Sequence, residues 1–97
     1  MYPQVDIKKN REGYFNYGVS IGNAAEECYA RLGLSSIAEC LHDAATALAG
    51  HFARADISYE GRALGQYEVA RMEHRTVALA DALNLMLQDG QLQRIEA

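Results

Sequence analysis

The sequence predicts an α+β domain in which an N-terminal β-hairpin and a third strand pack against two main α-helices and one short helix. Three observations carry that prediction. Apolar and polar residues alternate from Val5 to Ile21, the period of a half-buried strand. Ile37, Leu41, Ala44, Ala45, Leu48 and Phe52 recur at three- and four-residue steps, which lines them along one side of a helix. Finally, 97 residues can close one hydrophobic core and are too few for two, so residues 1–97 read as a single compact domain.

The hairpin spans about residues 4–21. Val5 and Ile7 alternate with Asp6 and Lys8; Phe15, Tyr17, Val19 and Ile21 alternate with Asn16, Gly18 and Ser20; Asn10, Arg11, Glu12 and Gly13 supply the turn between them. A hairpin alone is marginal in water and needs a cover for its apolar face. Asn23 is a cap-like start for a short helix over about 24–32, with Ala25, Cys28, Tyr29 and Leu32 on one face and Gly33 as its stop. Next comes the main helix, about 36–52. Its start carries a capping box in which Ser36 accepts from the Glu39 amide and the Glu39 carboxylate reaches back to the Ser36 amide. Burying its two leucines, isoleucine and phenylalanine stabilises the fold by roughly 1.5–3 kcal/mol each.

Alternation returns in a short strand over about 54–60, with Ala55, Ile57 and Tyr59 opposite Asp56 and Ser58. From Arg62 the residues are strong helix formers, and Val69, Met72, Thr76, Leu79, Leu83 and Met86 mark one helix over about 62–89 capped by Gly90. An alternative makes Tyr67 to Ala70 a fourth strand and the chain two weak copies of hairpin-then-helix; the longer helix ranks first. Residues 91–97 form a frayed tail or a short added strand.

Composition narrows the functional classes. The net charge of −4 is unevenly spread: +1 over residues 1–21, −3 over 22–53 and −2 over the remainder. Broad basic contact with nucleic acid is thereby disfavoured. The segment Ala30-Arg31-Leu32-Gly33-Leu34-Ser35 has the look of a helix-turn-helix turn. Its next buried aliphatic, Ile37, comes too early, and Glu39 and Asp43 would be repelled by phosphates, so two helices meeting at a glycine is the better expectation. No apolar run approaches the roughly 20 residues a bilayer crossing needs, and the first ten residues lack the apolar core of a signal peptide. A cytoplasmic protein without membrane contact is expected, with Cys28 and Cys40 as small buried thiols.

Chemistry-bearing groupings are sparse. Glu39 and His42 have the E-x-x-H spacing of carboxylate-bridged metal bundles, but no partner ligands follow. His51, His74 and the cysteines show no zinc spacing. Neither a G-x-S-x-G nucleophile turn nor a glycine-rich phosphate loop is present. The expectation is therefore a protein that is not an enzyme and takes no cofactor or metal.

Aromatic content says more. Six tyrosines with no tryptophan favour recognition, since tyrosine gives large contact area at low entropic cost. Alternation turns Tyr14 and Asn16 away from the core side of the hairpin, beside Lys8, Lys9 and Arg11, making these five the expected partner-binding residues. A second apolar line on the last helix, Ala78, Ala82 and Leu85, is the expected homodimer surface. The leading expectation is thus a small protein–protein interaction domain that pairs with itself. The alternative is a phage- or plasmid-type inhibitor or adaptor whose Glu26, Glu27, Glu39 and Asp43 imitate phosphates and engage a basic nucleic-acid-handling protein. A weaker one is nucleic-acid binding through Lys8, Lys9 and Arg11 with Tyr14 stacking.

Overall fold

The computed structural model describes residues 2–22 and 29–96, with side chains as far as Gln88. In chain order the elements are β1 (Pro3–Arg11), β2 (Tyr14–Ile21), β3 (Tyr29–Leu34), α1 (Ile37–Leu48), β4 (Arg54–Tyr59), β5 (Arg62–Glu68), α2 (Val69–His74) and α3 (Thr76–Glu96). The five strands make one mixed sheet in the order β3-β2-β1-β4-β5. Neighbours are antiparallel except at the centre, where β1 and β4 run parallel with Val5 beside Ile57. The fold is α+β and begins with the expected hairpin.

Alternation assigns the two faces. Val5, Ile7, Tyr17, Val19, Ala55 and Ile57 point inward and are buried, and α1 brings Ile37, Cys40, Leu41, Ala44, Ala45 and Leu48 down upon them. Val69 and Met72 of α2 and Leu79, Ala80 and Leu83 of α3 complete the same core. All three helices therefore cover one side of the sheet. On the other side Gln4 and Lys8 are exposed and Asp6, Asp56 and Ser58 half-buried.

Four expectations are corrected. Residues 29–32 belong to a strand, since Tyr29 and Arg31 pair with Val19 and Tyr17, and Gly33 (φ 79) serves an irregularity of β3 instead of a helix stop. The remainder of the expected short helix, including its Asn23 cap, lies outside the described residues. With no helix ending at Gly33, the helix-turn-helix reading also falls.

The second correction concerns 62–68, which form β5 and not the start of a long helix. Glu60 (φ 49) and Gly61 (φ 83) both adopt the left-handed conformation, as a two-residue type I′ hairpin demands, and this turn returns the chain along β4. Gly65 (φ 119) sits at the irregularity where β5 resumes its pairing, in a conformation no helix contains. The alternative strand weighed from sequence at Tyr67 to Ala70 overlaps β5 only at Tyr67 and Glu68; the strand lies earlier, from Arg62 to Glu68, and Val69 and Ala70 open α2.

Third, the main helix ends at Leu48, before the expected residue 52. Gly50 (φ 84) turns the chain, the amides of His51 and Phe52 both donate to the Leu48 carbonyl, and Phe52 packs on the core from beyond the turn. Its cap also differs in detail. Ser36 accepts from the Glu39 amide at 3.1 Å as expected, but the Glu39 carboxylate reaches the amide and hydroxyl of Ser35.

Fourth, the last helix is broken at Arg75 (φ −127, ψ 42), where the Thr76 hydroxyl donates to the Met72 and Glu73 carbonyls. It then passes through Gly90 to Glu96, so neither the expected cap at Gly90 nor a frayed or strand-like tail holds. Glycine inside a helix costs only about 1 kcal/mol, and no proline follows to stop it. Among the described residues, no helix is long and apolar enough to cross a membrane.

Candidate functional site

The uncovered face of the sheet is where residue size and strand register combine. Pairing aligns Ala30, Gly18, Asp6, Ser58 and Ala63 across all five strands. Every member of that row is small or short, so the centre of the face is low. Gln4, Ser20, Asp56 and Gln66 rise along one side and Lys8 on the other, enclosing a trough of about 950 Å³. Five strands at about 4.8 Å spacing make it roughly 19 Å across.

Two carboxylates occupy the floor. Asp6 Oδ1 accepts from the Ser58 hydroxyl at 2.6 Å and the Gly61 amide at 3.2 Å, and among the described residues Oδ2 has the Lys8 ammonium alone, at 3.9 Å. Asp56 Oδ1 accepts from the Gln66 amide nitrogen at 3.2 Å. Because Gln4 pairs with Asp56 and Asp6 with Ser58 on adjacent parallel strands, the two carboxylates are diagonal neighbours on one face. Their combined charge exceeds that of Lys8, so the trough is net acidic.

A second concavity opens on the helix side, at the end of the sheet where the two hairpin turns lie. It encloses about 410 Å³ between Lys9, Phe15, Tyr59, Glu60 and Arg62 of the sheet end, Ile37 at the start of α1, and Asn84, Leu87 and Gln88 of α3. Lys9 is held there by Glu12, which raises the lysine pKa above its ordinary value, chiefly through their hydrogen bond. Burial in the same corner raises the Tyr59 hydroxyl.

The remaining polar cluster is structural. The Tyr17 hydroxyl donates to Asp43 Oδ2 at 2.6 Å, Arg31 reaches Asp43 Oδ1 at 3.5 Å, and the Tyr29 ring stands 6.0 Å from that of Tyr17. Together these residues join β2, β3 and α1.

The expected site residues are thereby sorted. Tyr14, Asn16 and Lys8 do share the uncovered face; Arg11 lies over the Tyr14 ring at 5.2 Å, and Asn16 Oδ1 accepts from the Gly33 amide at 3.4 Å. Lys9 departs from them, since it pairs with Phe15 and points to the helix side. Of the expected acidic surface, Asp43 is engaged by Tyr17 and Arg31, Glu39 is engaged at the start of α1, and Glu26 and Glu27 lie outside the described residues, as does Cys28. Cys40 is a free, fully buried thiol. Ala78 and Leu85 are exposed and Ala82 half-buried, with Val77 beside them. Asp6 and Asp56 were not singled out from sequence. Their alternation with Val5, Ile7 and Ile57 put them on the outer face; only the parallel pairing of β1 with β4, strands fifty residues apart, brings them together.

Among the described residues, no three His, Cys, Asp or Glu side chains converge to hold a metal ion. Compared with family models, curated proteins and solved structures, the chain matches none of them.

Proposed function

We propose that this chain is a non-catalytic protein-interaction domain that receives a basic segment of a partner on the uncovered face of its sheet. One observation carries the reading: the row Ala30, Gly18, Asp6, Ser58, Ala63 leaves a floor low enough for another backbone to approach. The paired carboxylates Asp6 and Asp56 supply the charge. A guanidinium spanning them would form charge-assisted hydrogen bonds, which are about twice as strong as neutral ones. A second copy seated face to face about a two-fold axis near the floor would instead set Asp6 against Asp6, so a foreign basic partner fits better than self-pairing here. This version of the adaptor reading moves the acidic contact from Glu39 and Asp43 to the sheet.

The test uses a fluorescein-labelled nona-arginine peptide and the intact chain, read by anisotropy at low and high salt. Binding should weaken about tenfold in Asp56→Asn, as expected for loss of a charged hydrogen bond worth about 1.5 kcal/mol. Ala63→Phe, which fills the trough from an exposed position, should weaken it similarly. Salt-sensitive binding that is indifferent to both changes would reject the trough.

A homodimer remains a second reading because one observation favours it: Val77 and Leu85 of α3 are 68% and 62% exposed, on the side of the helix turned from the core. Self-association through that stripe leaves the trough free. Sedimentation should then show a dimer that Leu85→Glu dissociates; a monomer at all concentrations would remove this part alone.

A further inference from the structure

We propose that the cleft between the sheet end and α3 binds a small organic carboxylate carrying an aliphatic or aromatic body. Its volume of about 410 Å³ falls within the range of small-molecule sites, about 300–1,000 Å³. Size alone decides nothing, because the trough is larger; the lining does. Phe15, Ile37 and Leu87 are core-packed side chains that line the cleft together, giving it an apolar wall directly beside its cations.

The polar side of the cleft is built by the β4–β5 turn. With Glu60 and Gly61 as its two central residues, Tyr59 and Arg62 become the closing pair and both face the helices. Arg62 is steered toward α3 by a long contact from Nη2 to the Met86 carbonyl at 3.5 Å. Among the described residues it forms no ion pair. Lys9 adds a second cation but is already matched by Glu12. A guanidinium without an ion pair among the described residues therefore meets an apolar wall, and Asn84 also lines the cleft.

The same geometry selects the head group. Glu60 also lines the cleft and Glu12 accompanies Lys9, so the four charges cancel and Arg62 is left as the cleft's cation without an ion pair among the described residues. A singly charged carboxylate, which guanidinium engages through two parallel hydrogen bonds, suits that balance. Inorganic phosphate would bring further negative charge against Glu60 and has no apolar part to place on Phe15 and Leu87, and a nucleotide would bring two or more negative charges where one is matched. This site shares no residue with the trough and stands or falls separately from it.

The experiment follows amide and methyl chemical shifts of the intact chain during titration with octanoate and with phenylacetate. Octanamide and phenylacetamide serve as uncharged counterparts. Saturable shifts centred on Phe15, Ile37 and Leu87 are expected with the acids. The amides should bind about tenfold more weakly, as should the acids to Arg62→Ala, the loss expected for one charge-assisted contact. Arg62 is exposed, so that variant keeps its fold, which a thermal melt verifies. Lack of saturation with either acid up to its solubility limit would overturn the proposal. So would equal binding of the amides, indifference to Arg62→Ala, or shifts centred on Asp56 and Ala63.

Discussion

The Tyr17 hydroxyl and the Asp43 carboxylate, 2.6 Å apart, fasten the second strand of the sheet to the middle of α1. Tyr17 is one of the largest fully buried side chains, and its pKa is raised, first by burial and then by the hydrogen bond to Asp43. Tyr17→Phe keeps the ring packed and removes the donor. Asp43 retains Arg31 and some solvent, so the loss at neutral pH should be about 1–2 kcal/mol, measured by urea unfolding. Unfolded tyrosine ionises near pH ~10 while the folded residue keeps its proton. Stability is therefore fully present below that pH and falls above it. The variant should lose less stability than the parent between about pH 9 and pH 11; an identical alkaline slope would show that Tyr17 ionises freely in the fold.

Cys40 gives a separate alkaline signature at lower pH. Its fully buried thiol is pushed up to about 12, by burial first and then by Glu39 and Asp43. An unfolded thiol ionises near ~8.5, so unfolding releases its proton throughout the interval between those values. Stability should drop there by up to about 1.4 kcal/mol per pH unit. Cys40→Ala in a Cys28→Ser background should flatten that part of the profile. Iodoacetamide labelling of the Cys28→Ser chain should likewise track global unfolding. Fast labelling of folded protein at pH 9 would contradict the burial.

Glu60 occupies a left-handed conformation (φ 49) that asparagine and glycine tolerate better than other residues. The turn it shares with Gly61 is of the kind that prefers Asn-Gly. Glu60→Asn should therefore stabilise the chain by about 0.5–1 kcal/mol in thermal or urea unfolding. Removing the carboxylate from the cleft lining should also tighten octanoate binding. A destabilised variant would mean that the Glu60 side chain has a stabilising contact outweighing its backbone cost.

How far the fold could be read from sequence depended on how local each signal was. The first hairpin and the α1 stripe were legible because Val5, Ile7, Tyr17, Val19, Leu41 and Leu48 declare their faces through neighbours a few residues away. Tyr29 to Leu34 misled because it pairs as a strand with β2 on one side only, exposing five of its six residues; no hydrophobic alternation marks it, and Gly33 looks like a helix stop. Arg62 to Glu68 misled because its composition favours helix while its turn favours a hairpin, and the turn prevailed. The trough was illegible for a further reason: Asp6 and Asp56 meet through a parallel pairing of two strands far apart in sequence. The cleft likewise needs the middle of α3 beside Phe15 and Arg62, a contact without local trace.

Gly65 offers the sharpest check on β5. At φ 119 it adopts a conformation closed to residues with a side chain, and a Cβ there would lie 3.2 Å from the Tyr67 hydroxyl. That hydroxyl is not free to withdraw, since it donates to the Leu64 carbonyl at 2.7 Å while Arg71 lies over its ring at 5.6 Å. Gly65→Ala should therefore carry both a backbone cost and the displacement of Tyr67, together about 1–3 kcal/mol. Gly13 is the control. Its φ of 71 is also left-handed, but nothing lies within 4 Å of the added atom, so Gly13→Ala should cost only about 1 kcal/mol for the backbone. Paired urea titrations would read the difference. Equal losses would mean that Tyr67 moves aside freely, whereas a harmless Gly65→Ala would show that residues 62–68 can leave the sheet for the helix their composition favours.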